Sequence, residues 1–536
     1  MKVLAVIPAC AGSSTLPNRN IRIICGKPMI CYAINNALES KYITDIVVTT
    51  NSSIILSIAQ QMGVMTRQRD ESLCNSWTSV DAVVYDVFNQ LDQSDYDYVV
   101  TMQSISPALK TSTLDKAFEK IIDEKLDTLI SVRNQAQFYW TEKDGAFMPM
   151  QKQRVNRHLL PPFYVETGAF MISKAYCVKA DSRLGERVGC YPLDGDEAID
   201  VYSFGDLVQA EYAIQNRKVA IYTNGNDIIG LGHIFRVLQV ADELFTKPDI
   251  YYDRAQTNSS VFGSSTHTFI PVDGESGFVN EISQKNYAIV INDILNTSAE
   301  YMSALRKAAP RSKLINFEDE GTGACFADTV INALYEHSDD SRVRVGSQYY
   351  IIPKEFLVYK PIKIKETVTR VIVTFGGADP QAYTERILEL ALKPEYSGIE
   401  FYFILGKAKK NVSEITTCAA LRDNVCVLSD INNMPEVMCR CDAAISSRGR
   451  TCFELAALGV PTLSIAQHSR EEKHSFICPE NGFMCLQTAP DACELERAFN
   501  TLVFSGRAER EQQQEKMLAH DLRNGRNHIR DLLNEI

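Results

Sequence analysis

Val3-Leu4-Ala5-Val6-Ile7-Pro8-Ala9-Cys10-Ala11-Gly12-Ser13-Ser14-Thr15-Leu16-Pro17-Asn18-Arg19-Asn20 opens the chain and decides its class. The run Val3 to Ile7 is apolar without a break, as in a strand covered on both faces. Ala9, Ala11, Gly12 and Ser13 are small enough to let backbone N–H groups approach an anion, and Arg19 adds a cation. A buried strand feeding such a loop is how a parallel α/β sheet holds phosphate at the carboxyl ends of its strands.

The pattern continues outward from this loop. Helix-like periods over 29–40, 53–62, 79–90 and 113–124 alternate with strand-like runs over 45–50, 98–103 and 128–132. That alternation predicts a mainly parallel sheet with helices on both faces. A second unit begins near Asn224, after a strand over 218–223, with a Gly-rich turn over 225–232 and a helix over 233–245, and the rhythm persists through 329–334. The polar, Lys-rich segment 359–369 reads as a linker to a third α/β unit with strands at 371–374, 400–404, 443–445 and 462–465. The expected fold class is α/β, a Rossmann-like sheet followed by a two-lobed module. The expected boundaries are 1–223, 224–362 and 363–536.

The chain's 536 residues exceed one ordinary core. Its 45% hydrophobic and 23% charged content is that of a soluble globular protein. A net charge of −12 argues against nucleic acid as the main partner, so nucleotide binding needs local cations. The 15 cysteines form no pair of C-x-x-C motifs, and Cys439 and Cys441 fit no common zinc spacing. They read as reduced thiols in apolar surroundings. No signal peptide and no apolar run of about 20 residues is read. A cytoplasmic setting is expected.

Further motifs follow the opening loop in order. They are Gly26-Lys27-Pro28-Met29-Ile30, Met102-Gln103-Ser104-Ile105-Ser106-Pro107, Arg154-Val155-Asn156-Arg157-His158-Leu159-Leu160-Pro161-Pro162, Glu166-Thr167-Gly168-Ala169 and Glu197-Ala198-Ile199-Asp200. Together with the loop they resemble the CMP-sialic acid synthetases (acylneuraminate cytidylyltransferases) over about 1–217. The resemblance implies attack of a nonulosonic acid's anomeric hydroxyl on the α-phosphate of CTP, with pyrophosphate leaving and a CMP-sugar forming. It implies Arg19 and Asp200 as catalytic, Asp200 as a Mg²⁺ ligand, and Ala9, Gly12, Ser13, Asn20, Gln103, Arg157 and Glu166 as nucleotide- or sugar-binding. It also implies a homodimer. The sequence departs from the family at charged positions. Cys10 stands for an Arg, Ser14 for a Lys, Asn75 for an Asp and Tyr202 for the second carboxylate of a D-x-D pair, while Lys110 only loosely matches a further Arg.

Gly230-Leu231-Gly232-His233-Ile234-Phe235-Arg236 places a His at a helix start after a Gly-rich turn. The positive end of the helix favours a neutral imidazole that accepts a proton. With Phe375-Gly376-Gly377-Ala378-Asp379-Pro380, Met434-Pro435-Glu436 and Ile445-Ser446-Ser447-Arg448-Gly449-Arg450-Thr451-Cys452-Phe453-Glu454-Leu455, this motif resembles the UDP-sugar hydrolase of the pseudaminic acid pathway, whose architecture is the GT-B fold. The resemblance implies that water attacks the anomeric carbon of a UDP-sugar with His233 as base. Gly232, Arg236, Gly376, Gly377, Arg448, Gly449, Arg450, Thr451, Glu454 and Gln467 are implied to bind the nucleotide-sugar. Arg448 and Arg450 replace a Gly and a Ser of the family, and two guanidiniums there either clamp a diphosphate or fill its pocket. His468 and His474 read as helix-surface residues. Two alternatives stay open: a first domain that only binds or dimerises, and a second module that transfers its sugar to an acceptor.

Overall fold

Three sheets with parallel strands at their centres emerge in the computed structural model. It describes residues 1–536 apart from 13–14, 76, 92, 152, 216, 227–229, 264, 336–339, 378, 407–408, 430, 432 and 535–536, with backbone alone at 94 and 534. The chain forms two compact units, Met1–Asn216 and Arg217–Ile536.

The first unit is built on β1 (Val3–Pro8), β2 (Asp45–Thr50), β3 (Met65–Gln68), β4 (Tyr98–Thr101), β5 (Thr128–Asn134), β6 (Tyr164–Lys174) and β7 (Val188–Pro192). Their spatial order is β7-β5-β6-β4-β1-β2-β3, and β6 alone runs antiparallel to its neighbours. Helix α1 (Ile30–Glu39) repeats Ile30, Ala33, Ile34 and Ala37 on one buried face, the spacing a helix needs to cover a sheet. Val3, Ala5 and Ile7 of β1 lie in the same core.

The second unit carries two all-parallel sheets. One comprises β8 (Val219–Thr223), β9 (Asp249–Asp253), β10 (Thr268–Val272), β11 (Ile289–Asp293), β12 (Lys313–Phe317), β13 (Thr329–Asn332) and β14 (Val343–Val345), ordered β10-β9-β8-β11-β12-β13-β14. The other comprises β15 (Arg370–Thr374), β16 (Glu400–Leu405), β17 (Val425–Ser429), β18 (Ala443–Ser447), β19 (Thr462–Ile465) and β20 (Met484–Leu486), ordered β17-β16-β15-β18-β19-β20. Each order reverses beside its first strand, the switch point at which α/β sheets bind ligands. Helix α2 (Gly232–Glu243) follows β8, and α3 (Thr451–Ala457) follows β18. The last helix, α4 (Gly525–Asn534), returns to the first of these sheets: Ile529 and Leu533 share a core with Val219, Ile221, Val237 and Ile289. Two parallel sheets with this returning helix make the GT-B arrangement.

One boundary moves. The strand Val219–Thr223, read as the end of the first domain, is the switch-point strand of the second unit, pairing with β9 and β11. The segment read as a linker is anchored: buried Arg510 donates to the carbonyls of Lys365 at 2.9 Å and Glu366 at 3.0 Å.

Candidate functional site

In the first unit, motifs far apart in sequence close into a hydrogen-bonded network. Buried Asn20 donates from Nδ2 to the Cys10 carbonyl at 2.7 Å, and its Oδ1 accepts from Ser104 Oγ at 2.5 Å. Ser106 Oγ donates to Asp200 Oδ1, and the Gly168 N–H donates to Asp200 Oδ2 at 3.0 Å. Strand β6 is irregular between Glu166 and Met171, and there the Gly168 carbonyl accepts from the Gln103 N–H at 3.0 Å. The approach demands glycine, since a Cβ at 168 would lie 2.6 Å from the Ile105 side chain. Ala9 is buried and donates to the Thr49 carbonyl at 3.0 Å, while Gly12 faces open space. Ser13 and Ser14 lie outside the described residues.

The charges of this site differ from expectation. Cys10 accepts at Sγ from buried Arg69 at 2.6 Å, and Arg69 also donates to the Thr49 carbonyl at 2.8 Å. The Arg19 guanidinium lies 5.6 Å from the centre of the Tyr202 ring. The Nε atoms of Arg19 and Arg133 are buried without a hydrogen-bond partner among the described residues. Burial pushes the Asp200 carboxyl above its ordinary range, opposed by Ser106, the Gly168 N–H and Arg133. Burial likewise raises Tyr202, with Asp200 adding to the rise and Arg19 and Arg133 opposing it.

Magnesium is normally held by one or two carboxylates together with substrate phosphates. Here Asp200 accepts one hydrogen bond on each oxygen, the second carboxylate position is Tyr202, and Asp206 binds Ser203 and the Tyr202 N–H. Among the described residues no group of three or more His, Cys, Asp or Glu side chains is placed to hold a metal. The residues present do not fit the Mg²⁺ site assigned to Asp200. Arg157 and Glu166 are exposed, and neither side chain makes a hydrogen bond or ion pair among the described residues. Lys110 is turned to Glu197 at 3.1 Å, and Asn75 is used in a local turn with Ser72 and Trp77.

The second unit gathers its charge where the two sheets face each other. His233, second in α2, meets Asp293 Oδ1 with Nδ1 at 2.7 Å. A carboxylate only accepts, so this hydrogen bond places a proton on Nδ1. Arg236 grips the same carboxylate through two bonds of 2.7 and 2.5 Å and also pairs with Glu318. Glu318 in turn accepts from Arg450 Nη2 at 2.9 Å. Burial pushes both carboxyls up, but the arginines win: Asp293 is held well below its ordinary range and Glu318 at about 2. Gly232 makes room for Arg450, whose Nη1 would lie 2.4 Å from a Cβ at that position.

Arg450 is therefore committed to Glu318, while Arg448 donates to the His474 carbonyl at 3.4 Å and keeps a buried Nε without a hydrogen-bond partner among the described residues. His474 is not a surface residue. It is buried, meets the Arg448 carbonyl with Nδ1 at 2.7 Å, and burial lowers it to about 4. His468 is exposed, and its Nδ1 accepts from the Glu471 N–H at the start of a short helix. Gln467 ties the β19 end to the β15 end by donating to the Phe375 carbonyl at 2.8 Å. Gly376 and Gly377 face open space. Gly449 and Thr451 lead into α3, and Glu454 on that helix is pushed up to about 8 by burial, reinforced by Glu355.

Asp293, Glu318, Arg69 and Arg133 were not singled out from sequence. Asp293 ends the buried strand Ile289-Val290-Ile291-Asn292, and Glu318 follows Leu314-Ile315-Asn316-Phe317. Acidic residues at the carboxyl ends of parallel strands are the signal that locates them.

The two sites define a class: a nucleotide-handling Rossmann-like sheet joined to a GT-B module. The cytidylyltransferase family pattern matches residues 4–156. The pseudaminic acid cytidylyltransferase of Campylobacter jejuni is 32% identical over 187 residues, which cover 33% of this chain and 81% of that protein. The chain belongs to the cytidylyltransferase family through its first unit. The spore coat polysaccharide biosynthesis protein SpsG of Bacillus subtilis is 25% identical over 263 residues, covering 46% of this chain and 77% of that protein. The crystal structure of Acinetobacter baumannii MurG aligns with a TM-score of 0.45 and 16% identity, over 60% of this chain and all of that one (100%). Among the described residues no helix is long and apolar enough to cross a membrane.

Proposed function

We propose that this chain is a two-part enzyme of nonulosonic acid activation. In the first unit the anomeric hydroxyl of a nonulosonic acid attacks the α-phosphate of CTP. The new O–P bond forms as the bond to the β-phosphate breaks, giving a CMP-sugar and pyrophosphate. The network joining Asn20, Ser104, Ser106, Gly168 and Asp200 carries this reading, because it assembles the loop and the sugar-side motifs into one place. Such chemistry needs positioning and charge neutralisation more than covalent help.

In the second unit a UDP-sugar is hydrolysed. Nε2 of His233 takes a proton from water as the water oxygen bonds to the anomeric carbon and UDP leaves. Asp293 supports this role by fixing the tautomer and stabilising the imidazolium. The proposal includes a cytoplasmic setting and a homodimer through the first unit. An exposed hairpin, Trp140–Lys143 with Ala146–Pro149, supports the dimer: Trp140 is 53% and Phe147 71% exposed.

Tyr202 and Cys10 favour a second reading in which the first unit binds nucleotide without turnover. The test incubates the full chain with CTP and several nonulosonic acids, and separately with UDP-sugars. Pyrophosphate release and free sugar are the expected products. Bound CTP without pyrophosphate release establishes the second reading, and a glycoside formed with an acceptor makes the GT-B module a transferase.

A further inference from the structure

Where a carboxylate pair and a divalent cation are expected, the first unit presents a tyrosine beside a guanidinium. Arg19 stands 5.6 Å from the Tyr202 ring centre. Arg133 sits at the carboxyl end of β5, beside Val165 of β6, and its charge acts on Asp200, Tyr202 and Asp206 together. Each guanidinium keeps a buried Nε without a hydrogen-bond partner among the described residues, a desolvation cost that an anionic ligand relieves. Asp200 is the one carboxylate left of the expected pair, and it already accepts from Ser106 and Gly168.

We propose that Arg19 and Arg133 replace the divalent cation in the first unit, so that this site binds the phosphates of a cytidine nucleotide without metal. The inference rests on the reading of the first unit as a CTP site. A guanidinium fork is planar, permanently charged and matched to phosphate oxygens, so two of them supply directed positive charge that needs no carboxylate ligands. The exchange also gives Tyr202 a role. Its ring packs against Arg19 where a carboxylate would have captured the guanidinium in an ion pair and taken it from the ligand.

The test is calorimetric titration of the full chain with CTP, once in excess Mg²⁺ and once in excess EDTA. Equal affinity in the two buffers is expected. Arg133→Gln is expected to weaken binding about tenfold or more in EDTA, the loss of one charge-assisted hydrogen bond, and Arg133→Lys to restore part of it. Tyr202→Asp is expected to make affinity depend on Mg²⁺. Thermal unfolding of each variant identifies any that fails to fold, and Arg19→Lys then serves as the second probe in EDTA. Binding only in Mg²⁺, or Arg133→Gln binding as well as wild type in EDTA, overturns the inference and leaves the CTP reading standing. No binding in either buffer overturns both.

Discussion

Asp293 Oδ1 lies 2.7 Å from His233 Nδ1, so one buried carboxylate both orients the imidazole and neutralises Arg236. The two duties separate by mutation. His233→Asn is expected to lower UDP-sugar turnover by about two to four orders of magnitude with little change in thermal midpoint. Asp293→Ala also leaves Arg236 with less than its full counter-charge in a buried site, and is expected to cost about 3–5 kcal/mol by denaturant unfolding. A His233→Asn enzyme with full turnover removes His233 from the mechanism.

The Glu318 carboxyl, at about 2 in the folded protein against 4.5 ordinarily, makes acid stability a second readout. A depressed carboxyl contributes its stability above the unfolded value and loses it as pH falls through the folded one. The second unit is therefore expected to lose stability between about 4.5 and about 2. Glu318→Gln is expected to flatten that part of the curve in pH-dependent thermal unfolding.

Glu454 has the opposite sign. Its carboxyl, raised from 4.5 to about 8, disfavours the folded state increasingly as pH rises across that interval. Glu454→Gln is expected to raise the thermal midpoint near pH 8 and to leave it unchanged below about 4.5. Scanning calorimetry at the two ends of the range checks this.

Gly232 and Arg450 are coupled by space. Gly232→Ala puts a methyl 2.4 Å from Arg450 Nη1, so the guanidinium must shift and its bond to Glu318 is expected to weaken. Gly232→Ala and Arg450→Ser are each expected to cost about 1–3 kcal/mol, and the double variant less than their sum. Denaturant midpoints of the three proteins give the coupling.

In the first unit, Asn20→Ala strands Ser104 Oγ and the Cys10 carbonyl. The expected effect is about a tenfold fall in pyrophosphate release at low CTP. Coupled phosphate detection measures it.

Strands were legible in all three sheets where they form unbroken apolar runs, as in Val3 to Ile7 and Ala443 to Ile445, whereas the antiparallel Tyr164–Lys174 and edge strands such as Val188–Pro192, Thr268–Val272 and Met484–Leu486 were not. The assignment of Val219–Thr223 to the wrong unit has a physical origin: an apolar strand looks the same in either sheet, and only its partners decide. The hairpin around Asp144-Gly145 was missed although both residues adopt positive φ and Asp-Gly is a strong turn signal. Its strands, Trp140–Lys143 and Ala146–Pro149, are exposed along their length and lack the inside–outside alternation that marks a strand over a core. Asn20 and Asp200 were legible by motif. Arg133 and Glu318 were not, because their importance lies in which charges the fold brings to them.

Helix α4 carries one more consequence. Ile529 and Leu533 complete a core whose other members begin at Val219. A chain emerging from the ribosome thus holds the first sheet of this unit unsealed until nearly the whole unit has been made. Contacts of such sequence separation slow folding and leave apolar surface open meanwhile. An excised first lobe would lack the side chains that close it.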